Sequence, residues 1–303
     1  MVRRVTIIVL NWNGGQDTLD CVQSLAGLDY PRFDILVVDN GSTDGSVAAI
    51  REGFPRVTLL ETGENLGYAG GNNVGLRWTL DHGADYALLL NNDTVVAPDF
   101  LRLLVEAAEA DPSIGIAGPT IYYYDQPRVI WSAGGSIDWR RGRTSMVGLD
   151  ELDRGQFGEA PREVDFVTGC ALLVKAVVVE RIGLLDERFF AYYEETEWCV
   201  RATGAGSKIV HVPQAHIWHK ISPEARADSL SVHYYMTRNR LLFLRATSAG
   251  LSAWWYTLFA DYFRTLTSWT LRPKWRGKRP LRRALLQAIG DAARGHWGPR
   301  SVA

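Results

Sequence analysis

Short apolar runs alternate with amphipathic segments over the first 110 residues of the chain. Residues 5–10, 34–39, 57–60 and 86–90 are brief runs rich in Val, Ile and Leu, which is typical of strands buried on both faces. Helical spacing of apolar residues follows in a segment with Leu19, Val22 and Leu25, in residues 72–80 and in residues 98–111. Because alternating strands and helices form parallel sheets covered on both faces, the pattern predicts an α/β domain.

Polar side chains follow each of these four apolar runs. They are Asn11 after the first run, Asp39 and Asn40 after the second, Asn65 after the third, and Asn91, Asn92 and Asp93 after the fourth. In open α/β sheets, ligands bind outside the carboxyl ends of the strands. Polar clusters at four successive strand ends therefore predict one ligand site.

Residues 65–73 form a glycine-rich segment, NLGYAGGNN, which we interpret as a turn. The segment has neither the spacing of a dinucleotide-binding loop nor the Lys-Ser/Thr pair of a P-loop. Dinucleotide binding is therefore disfavoured. The glycines permit either close approach of a ligand or tight packing of the chain.

Three acids, Glu194, Glu195 and Glu197, lie within four residues after an aromatic run. Neighbouring carboxylates raise one another's pKa, which suits a general base. A solvated acidic cluster is the alternative.

The polar residues at the other strand ends also have alternatives to ligand binding. Asp93 either binds a cation with its carboxylate or caps a turn, and the segment after Asp39 either binds a ligand or caps a helix. His216 and His219, three residues apart, offer an imidazole to a metal.

Composition and charge divide the chain into an acidic body and a basic tail. The 303 residues are 47% hydrophobic and carry a net charge of −1, which indicates a globular protein without long disorder. From residue 272 onward the chain has nine Lys and Arg residues against one acid, Asp291. Such a tail predicts an anionic partner of its own.

Residues 120–165, rich in Gly, Arg and Asp, are predicted to be irregular.

Cys21, Cys170 and Cys199 have no metal-ligand spacing, so reduced and mostly buried thiols are expected. Residues 1–4 lead directly into the first strand without a signal-peptide pattern, which predicts a cytoplasmic location.

The basic tail follows an aromatic segment, residues 241–271, which includes Trp254, Trp255 and Phe259. Asp261 and Arg264 interrupt its apolar run, which disfavours a membrane span. An aromatic amphipathic helix followed by basic residues is typical of an interfacial anchor on an anionic membrane surface. The alternatives are packing on the catalytic domain or a dimer contact. No nucleic-acid-binding motif accompanies the charge, so nucleic acid is disfavoured.

Four stretches together resemble the family 2 glycosyltransferases with the GT-A fold, especially bacterial rhamnosyltransferase-like and galactofuranosyltransferase-like enzymes. They are VVDNGSTDGS at 37–46, NLGYAGGNN at 65–73, LLNNDT at 89–94 and FFAYYEETEWCVR at 189–201. Their order and spacing match the family over about residues 4–245.

The resemblance implies an α/β fold with a mostly parallel, mixed central sheet and helices on both faces. It implies a catalytic domain over 1–245, with a nucleotide-sugar half at about 1–118 and an acceptor half at about 119–245. Residues 246–303 then form a helical, membrane-associating tail at the inner face of the cell membrane.

The resemblance also implies roles for individual residues. The expected nucleotide-binding set comprises Asn11, Asp39, Asn40, Asn65, Gly71, Asn72, Asn91 and Asn92. Asp93 and His219 are the expected ligands of Mg²⁺ or Mn²⁺, and Glu195, with Glu194 as the alternative, is the expected general base. The metal motif keeps one carboxylate, and the base is Glu where the family commonly has Asp.

The implied reaction is an inverting transfer of a sugar from a dTDP- or UDP-sugar, with dTDP-rhamnose first, to a glycan or lipid-linked acceptor in polysaccharide biosynthesis. Two alternatives stay open: a non-catalytic nucleotide-binding partner at the membrane surface, and a nucleotidyltransferase. The second is disfavoured because residues 10–15 contain no Lys or Arg for a phosphate loop. The oligomeric state is open, a homo-oligomer included.

Overall fold

A ten-stranded mixed sheet forms the centre of the computed structural model, which describes residues 2–221 and 229–301. The strands that build it or flank it are β1 (Val5–Asn11), β2 (Phe33–Asp39), β3 (Thr58–Glu61), β4 (Tyr86–Asn91), β5 (Thr94–Val96), β6 (Ile114–Tyr123), β7 (Ile130–Ser132), β8 (Gly135–Asp138), β9 (Arg143–Met146), β10 (Arg162–Glu163), β11 (Ala171–Lys175) and β12 (Lys208–His219). The order in the main sheet is β10-β12-β6-β11-β4-β1-β2-β3, with β5 on β12 and β7 on β6, while β8 and β9 form a separate hairpin.

Helices cover both faces of the sheet. They are α1 (Gly15–Leu25), α2 (Ser46–Gly53), α3 (Gly67–Asp81), α4 (Phe100–Ala110), α5 (Ala176–Ile182), α6 (Glu194–Gly204), α7 (Leu230–Ala246), α8 (Leu251–Trp255), α9 (Arg264–Leu271) and α10 (Arg279–Arg294). A π-helical stretch, Tyr256–Phe263, joins α8 to α9, and a 3₁₀ turn, Pro273–Lys278, precedes α10.

Alternate residues of the central strands supply two apolar cores. Ile7 and Val9 of β1 pack with the layer that includes α1 and α4, whereas Ile8 packs with the layer that includes α3 and α6. The predicted α/β architecture with helices on both faces is confirmed. The predicted run of parallel strands is also present, since β1 pairs in parallel with β2 and β4. The antiparallel partners of β11 make the whole sheet mixed.

The parallel register brings the polar strand ends together. Asn11 lies opposite Asp39 in the β1–β2 pair, and Leu10 lies opposite Asn91 in the β1–β4 pair. The carboxyl ends of β1, β2 and β4 therefore meet at one edge of the sheet, where the sequence predicts a ligand site.

Two segments predicted to be irregular contain regular structure. Helix α3 begins at Gly67, so most of residues 65–73 is helix and not a turn. A Cβ on Gly75 would lie 2.5 Å from Ile8, which shows that small residues let this helix pack closely on β1. The range 120–165 is irregular only in part, because it also holds the end of β6 and strands β7–β10.

The C-terminal helices pack onto the rest of the chain. Helix α10 packs on α7 through Ala284 and Ala288, which contact Tyr234 and Tyr235. The segment from α8 to α9 exposes a row of large side chains: Leu251, Trp255, Phe259, Phe263 and Leu271 are 87, 62, 55, 61 and 77% exposed. Within the described residues, no helix combines the length and the apolar character needed to cross a bilayer.

Candidate functional site

Asn11 lies at the centre of the predicted ligand edge. It is fully buried, and its Nδ2 donates to Asp39 Oδ1 at 2.8 Å and to Ser46 Oγ at 2.9 Å. Its Oδ1 accepts from Thr18 Oγ1 at 2.7 Å, and Asn92 Nδ2 donates to the same Thr18 hydroxyl at 2.8 Å. Both ends of the Asn11 amide bond within the protein, so Asn11 holds Asp39 in place, and its predicted contact with a nucleotide stays a prediction.

Asn40 and Asn65 fix the chain that leads into α3. Asn40 Nδ2 donates to Asn65 Oδ1 at 3.1 Å and to Gly67 O at 3.0 Å, and its Oδ1 accepts from Leu66 N at 3.0 Å. Asn65 Oδ1 also accepts from Gly67 N at 2.8 Å. Asn40 is buried whereas Asn65 is partly exposed, so Asn65 is the better placed of the two to meet a ligand.

Gly71 and Asn72 face the protein interior. A Cβ on Gly71 would lie 2.4 Å from Leu10 and 3.3 Å from Asn40, so the structure favours tight packing over ligand approach at this glycine. Asn72 is also buried, and its Nδ2 donates to Tyr68 O at 3.0 Å. Because both residues are buried, their exposure does not support the predicted contact with a nucleotide.

Asp93 and His219 meet at the end of β4. His219 Nε2 lies 3.1 Å from the Asp93 carboxylate, although 126 residues separate them. Strand β12 runs through to His219 and pairs His219 with Thr94, which brings the imidazole beside Asp93. Burial raises the pKa of Asp93, but the hydrogen bond and the charge of His219 outweigh it and lower the pKa overall.

The pair fits a hard divalent cation. Both oxygens of the Asp93 carboxylate lie 3.1 Å from His219 Nε2, and Oδ1 has no further hydrogen-bond partner among the described residues. Two neighbouring ligands of an octahedral Mg²⁺, each about 2.1 Å from the ion, lie about 3 Å apart, which matches the observed contact. Within residues 2–221 and 229–301 no cluster of three or more metal-ligating side chains occurs. Any cation here would need oxygen atoms from a substrate or water as well.

Lys220 adds a positive charge next to this pair. Its Nζ donates to Asp17 Oδ1 at 2.8 Å and to Asp20 Oδ2 at 2.6 Å, and its backbone N–H donates to Asp93 O at 2.8 Å. Burial lowers the pKa of Lys220, but the two aspartates outweigh burial and raise it. The ammonium group therefore stays charged, but the two aspartates that it contacts more than balance its charge.

Glu194 and Glu195 open α6, where the helix dipole favours acids. Glu194 is buried, and Glu195 is partly exposed. Burial raises the pKa of both carboxyl groups, and the charge of Glu195 raises the pKa of Glu194 further. The buried, interacting pair contradicts the alternative of a solvated acidic cluster. Glu197 is a structural residue, since its carboxylate accepts twice from Arg201 Nε at 2.9 Å.

A strained loop presents the acid pair. Phe190, Tyr192 and Tyr193 have φ angles of 66, 71 and 75°, in the left-handed region that disfavours bulky side chains. Asn239 of α7 holds this loop, because its Nδ2 lies within hydrogen-bond distance of the carbonyls of Phe189, Ala191 and Tyr192 (2.8, 2.7 and 2.9 Å).

Arg238 holds the start of the same loop. Its Nη2 donates to Phe189 O at 3.1 Å, and its Nη1 donates to Gly298 O at 2.6 Å. Gly298 N in turn donates to Arg188 O at 2.8 Å. Arg238 and Asn239 are both fully buried, and their hydrogen bonds to the loop carbonyls connect α7 and residue 298 to the loop before Glu194.

The turn at Gly169 and Cys170 joins the acid pair to the sheet edge. Asn91 N donates to Cys170 O at 2.9 Å, and the N–H of Gly169 bonds to the Glu195 carboxylate. Tyr68 Oη donates to Gly169 O at 2.5 Å. The structure therefore brings the acids of α6 to the edge that carries Asn91 and Asp93.

Several of these residues are not predicted from the sequence. For Lys220, the only feature of the sequence that points to the site is its position directly after His219. The run Arg238, Asn239 and Arg240 carries a stronger one, because three polar residues precede the apolar run 241–244 inside one buried helix, an arrangement that requires partners.

Comparison with known proteins places these features in a family. The model described as Glycosyl transferase family 2 matches residues 6–180. The N-acetylglucosaminyl-diphospho-decaprenol L-rhamnosyltransferase of Mycobacterium tuberculosis is 28% identical over 291 residues, which cover 88% of each chain. The dTDP-rhamnosyl transferase RfbF of Shigella flexneri is 26% identical over 225 residues, which cover 72% of each chain.

The fold is also similar to that of a solved structure. The mannosyltransferase PcManGT from Pyrobaculum calidifontis, in complex with GDP-Man and Mn²⁺, has a TM-score of 0.63 at 18% identity. The match covers 97% of this chain and 88% of that chain. At this identity the likeness shows a shared fold.

Proposed function

The chain belongs to glycosyl transferase family 2, and on that premise we propose that it transfers a sugar from a nucleotide-sugar donor to a lipid-linked or polysaccharide acceptor. The observation that carries the proposal is the contact of Asp93 with His219 at the carboxyl end of β4. Glu195 reaches the same edge through Gly169. In this proposal the leaving diphosphate lies beside Asp93 and the base lies at the same edge of the sheet.

The donor we propose first is dTDP-rhamnose. Support comes from the names of two relatives, an L-rhamnosyltransferase and a dTDP-rhamnosyl transferase. A UDP-sugar is the second choice. The decaprenol-linked acceptor in the name of the first relative supports a lipid-linked acceptor for this chain.

The proposed reaction is a single displacement with inversion. The Glu195 carboxylate removes the proton from an acceptor hydroxyl, and the hydroxyl oxygen attacks the anomeric carbon as the bond to the nucleoside diphosphate breaks. Glu195 is proposed over Glu194 because Gly169 joins the Glu195 carboxylate to the edge that carries Asn91 and Asp93. Asp93 and His219 would hold Mg²⁺ or Mn²⁺, which supplies charge stabilisation for the leaving diphosphate.

A thermal-stability screen tests the donor site. Purified protein is melted with UDP, dTDP or GDP nucleotides and their sugars, each with Mn²⁺ or with EDTA. A ligand at a hundred times its dissociation constant adds about 2.7 kcal/mol to stability. A shift with one nucleotide that requires the metal is expected. Absence of a shift with every nucleotide would contradict the proposal and favour a non-catalytic partner protein.

We also propose that the exposed row on α8 to α9 binds an anionic membrane surface at the inner face of the cell membrane. Trp255, Phe259 and Phe263 are spaced four residues apart on one helical face and are all more than half exposed. Arg264 and Arg272 are exposed on the same helical segment and beyond its end. Aromatic side chains beside cations suit the headgroup region of an anionic bilayer.

Vesicle sedimentation tests this surface. Wild-type protein is expected to sediment with phosphatidylglycerol vesicles and less with phosphatidylcholine vesicles. The variant W255S/F259S/F263S should remain in solution, whereas the control Leu286→Ser removes an exposed apolar side chain of α10 outside the row and should still sediment. Equal sedimentation of the triple variant and the wild type would refute the assignment.

A further inference from the structure

A pocket of about 570 Å³ lies between the β8–β9 hairpin, α7 and the π-helical stretch. Its walls include Arg141, Arg143, Tyr193, Arg240 and Tyr262. None of the site residues predicted from the sequence lines it. Its size is that of a small-molecule site.

The pocket carries an excess of positive charge. Arg143 binds both oxygens of Asp261, at 3.0 and 2.5 Å, and Arg240 binds the same carboxylate at 2.9 Å. One carboxylate thus serves two guanidinium groups. Arg141 contacts Asp138 at 3.3 Å and is largely exposed. Three guanidinium groups therefore face two carboxylates, which favours an anionic ligand.

Tyr193 connects this pocket to the proposed base. It lines the pocket and directly precedes the Glu194–Glu195 pair. Burial raises the pKa of Tyr193, and the charges of Arg240, Glu195 and Arg143 shift it in opposite directions. Its hydroxyl lies 3.5 Å from Oγ1 of Thr144, which also lines the pocket.

The helical segment behind the pocket bears the exposed aromatic row. The guanidinium groups of Arg141 and Arg143 lie 5.5 and 5.3 Å from the ring of Tyr256, the neighbour of exposed Trp255. Tyr262, which lines the pocket, directly precedes exposed Phe263. The same short stretch of chain thus contributes Tyr262 to the pocket and exposes Trp255 and Phe263 to solvent.

We propose that the pocket binds the diphosphate of a lipid-linked acceptor, with Arg141 and Arg143 contacting the phosphate oxygens. The lipid chain leaves toward the aromatic row, and the sugar beyond the diphosphate extends past Tyr193 to Glu195. This inference rests on the proposed transferase function, since it assigns the acceptor of that reaction.

Titration with farnesyl diphosphate tests the pocket. Calorimetry in EDTA, without nucleotide, keeps the measurement independent of the metal-assisted donor site. We expect wild-type protein to bind farnesyl diphosphate at least tenfold more tightly than farnesol, since charge-assisted hydrogen bonds supply about that discrimination. Arg141→Gln should lose about tenfold in affinity, and R141Q/R143Q about a hundredfold.

Arg140→Gln is the matched control. Arg140 is exposed, carries the same charge and does not line the pocket, so its loss should leave farnesyl diphosphate binding unchanged. Equal affinity of R141Q/R143Q and wild type, or equal wild-type binding of farnesol and farnesyl diphosphate, would overturn the proposal. Arg141→Gln removes an exposed side chain and keeps the test valid if the double variant unfolds. The nucleotide screen on the same variants separates this outcome from failure of the transferase proposal.

Discussion

Replacing Asn239 by Ala tests whether the loop before Glu194 is held in place for catalysis. The amide of Asn239 serves the carbonyls of Phe189, Ala191 and Tyr192. Ala removes this donor and leaves buried carbonyl groups short of partners, at about 1–3 kcal/mol for each group left unsatisfied. The change is small in volume but acts on a loop that already stores strain.

The strain gives the direction of the response. Phe190, Tyr192 and Tyr193 each adopt a left-handed φ, at about 1–3 kcal/mol apiece. Without the donor, relaxation of these residues offsets part of the lost hydrogen bonding, so the net loss of stability should stay near 1–3 kcal/mol. Glu195, the proposed base, should move with the loop, and a displacement of about 1 Å at a catalytic group costs about 10²-fold in turnover.

Two measurements on Asn239→Ala separate displacement from unfolding. Turnover should fall about 10²-fold while the metal-dependent nucleotide shift persists, and amide hydrogen exchange over residues 188–195 should become faster. The control Leu241→Ala destabilises the same helix where it packs on Tyr262 and Leu285, at about 2–5 kcal/mol, and should keep its turnover. Turnover of Asn239→Ala within threefold of wild type would refute the reasoning, as would an equal loss in Leu241→Ala.

Three further changes address the site itself. Glu195→Gln should lower turnover by about 10²-fold or more with nucleotide binding intact, and near-normal turnover would exclude Glu195 as the base. Asp93→Asn should abolish the Mn²⁺-dependent part of the nucleotide shift, whereas an undiminished shift would show that Asp93 is not a ligand. Burial raises the pKa of Glu194. The folded protein therefore keeps a proton on Glu194 that the unfolded chain releases above about pH 4.3. The free energy of unfolding consequently falls as the pH rises from about 4.3 to the raised pKa. Glu194→Gln cannot titrate and should therefore melt higher than wild type at pH 8 but not at pH 4; a pH-independent difference would contradict this sign.

The sequence predicts the ligand edge well because its determinants are local. Apolar runs that end in Asn11, Asp39 and Asn91 place polar side chains at strand ends, and parallel pairing then brings them together. The contact of Asp93 with His219 follows from family resemblance and not from periodicity, because it depends on how far β12 extends.

Long-range packing limits the rest of the prediction. The glycines of 65–73 indicate a turn by local preference, yet close packing of α3 on β1 makes them helical. The role of Asn239 depends on a loop about fifty residues earlier in the chain, and no local pattern reports such a pairing. The hairpin β8–β9 is missed because its residues are polar or exposed on one face.

The hydrogen bonds of Gly298 to Arg188 and Arg238 have a consequence for biosynthesis. A ribosome makes the chain from its N-terminus, and the strands and helices that carry Asp93 and Glu195 are complete well before residue 298 is added. The loop before Glu194 acquires its last anchor only when residue 298 arrives. A nascent chain should therefore bind nucleotide before it can transfer sugar.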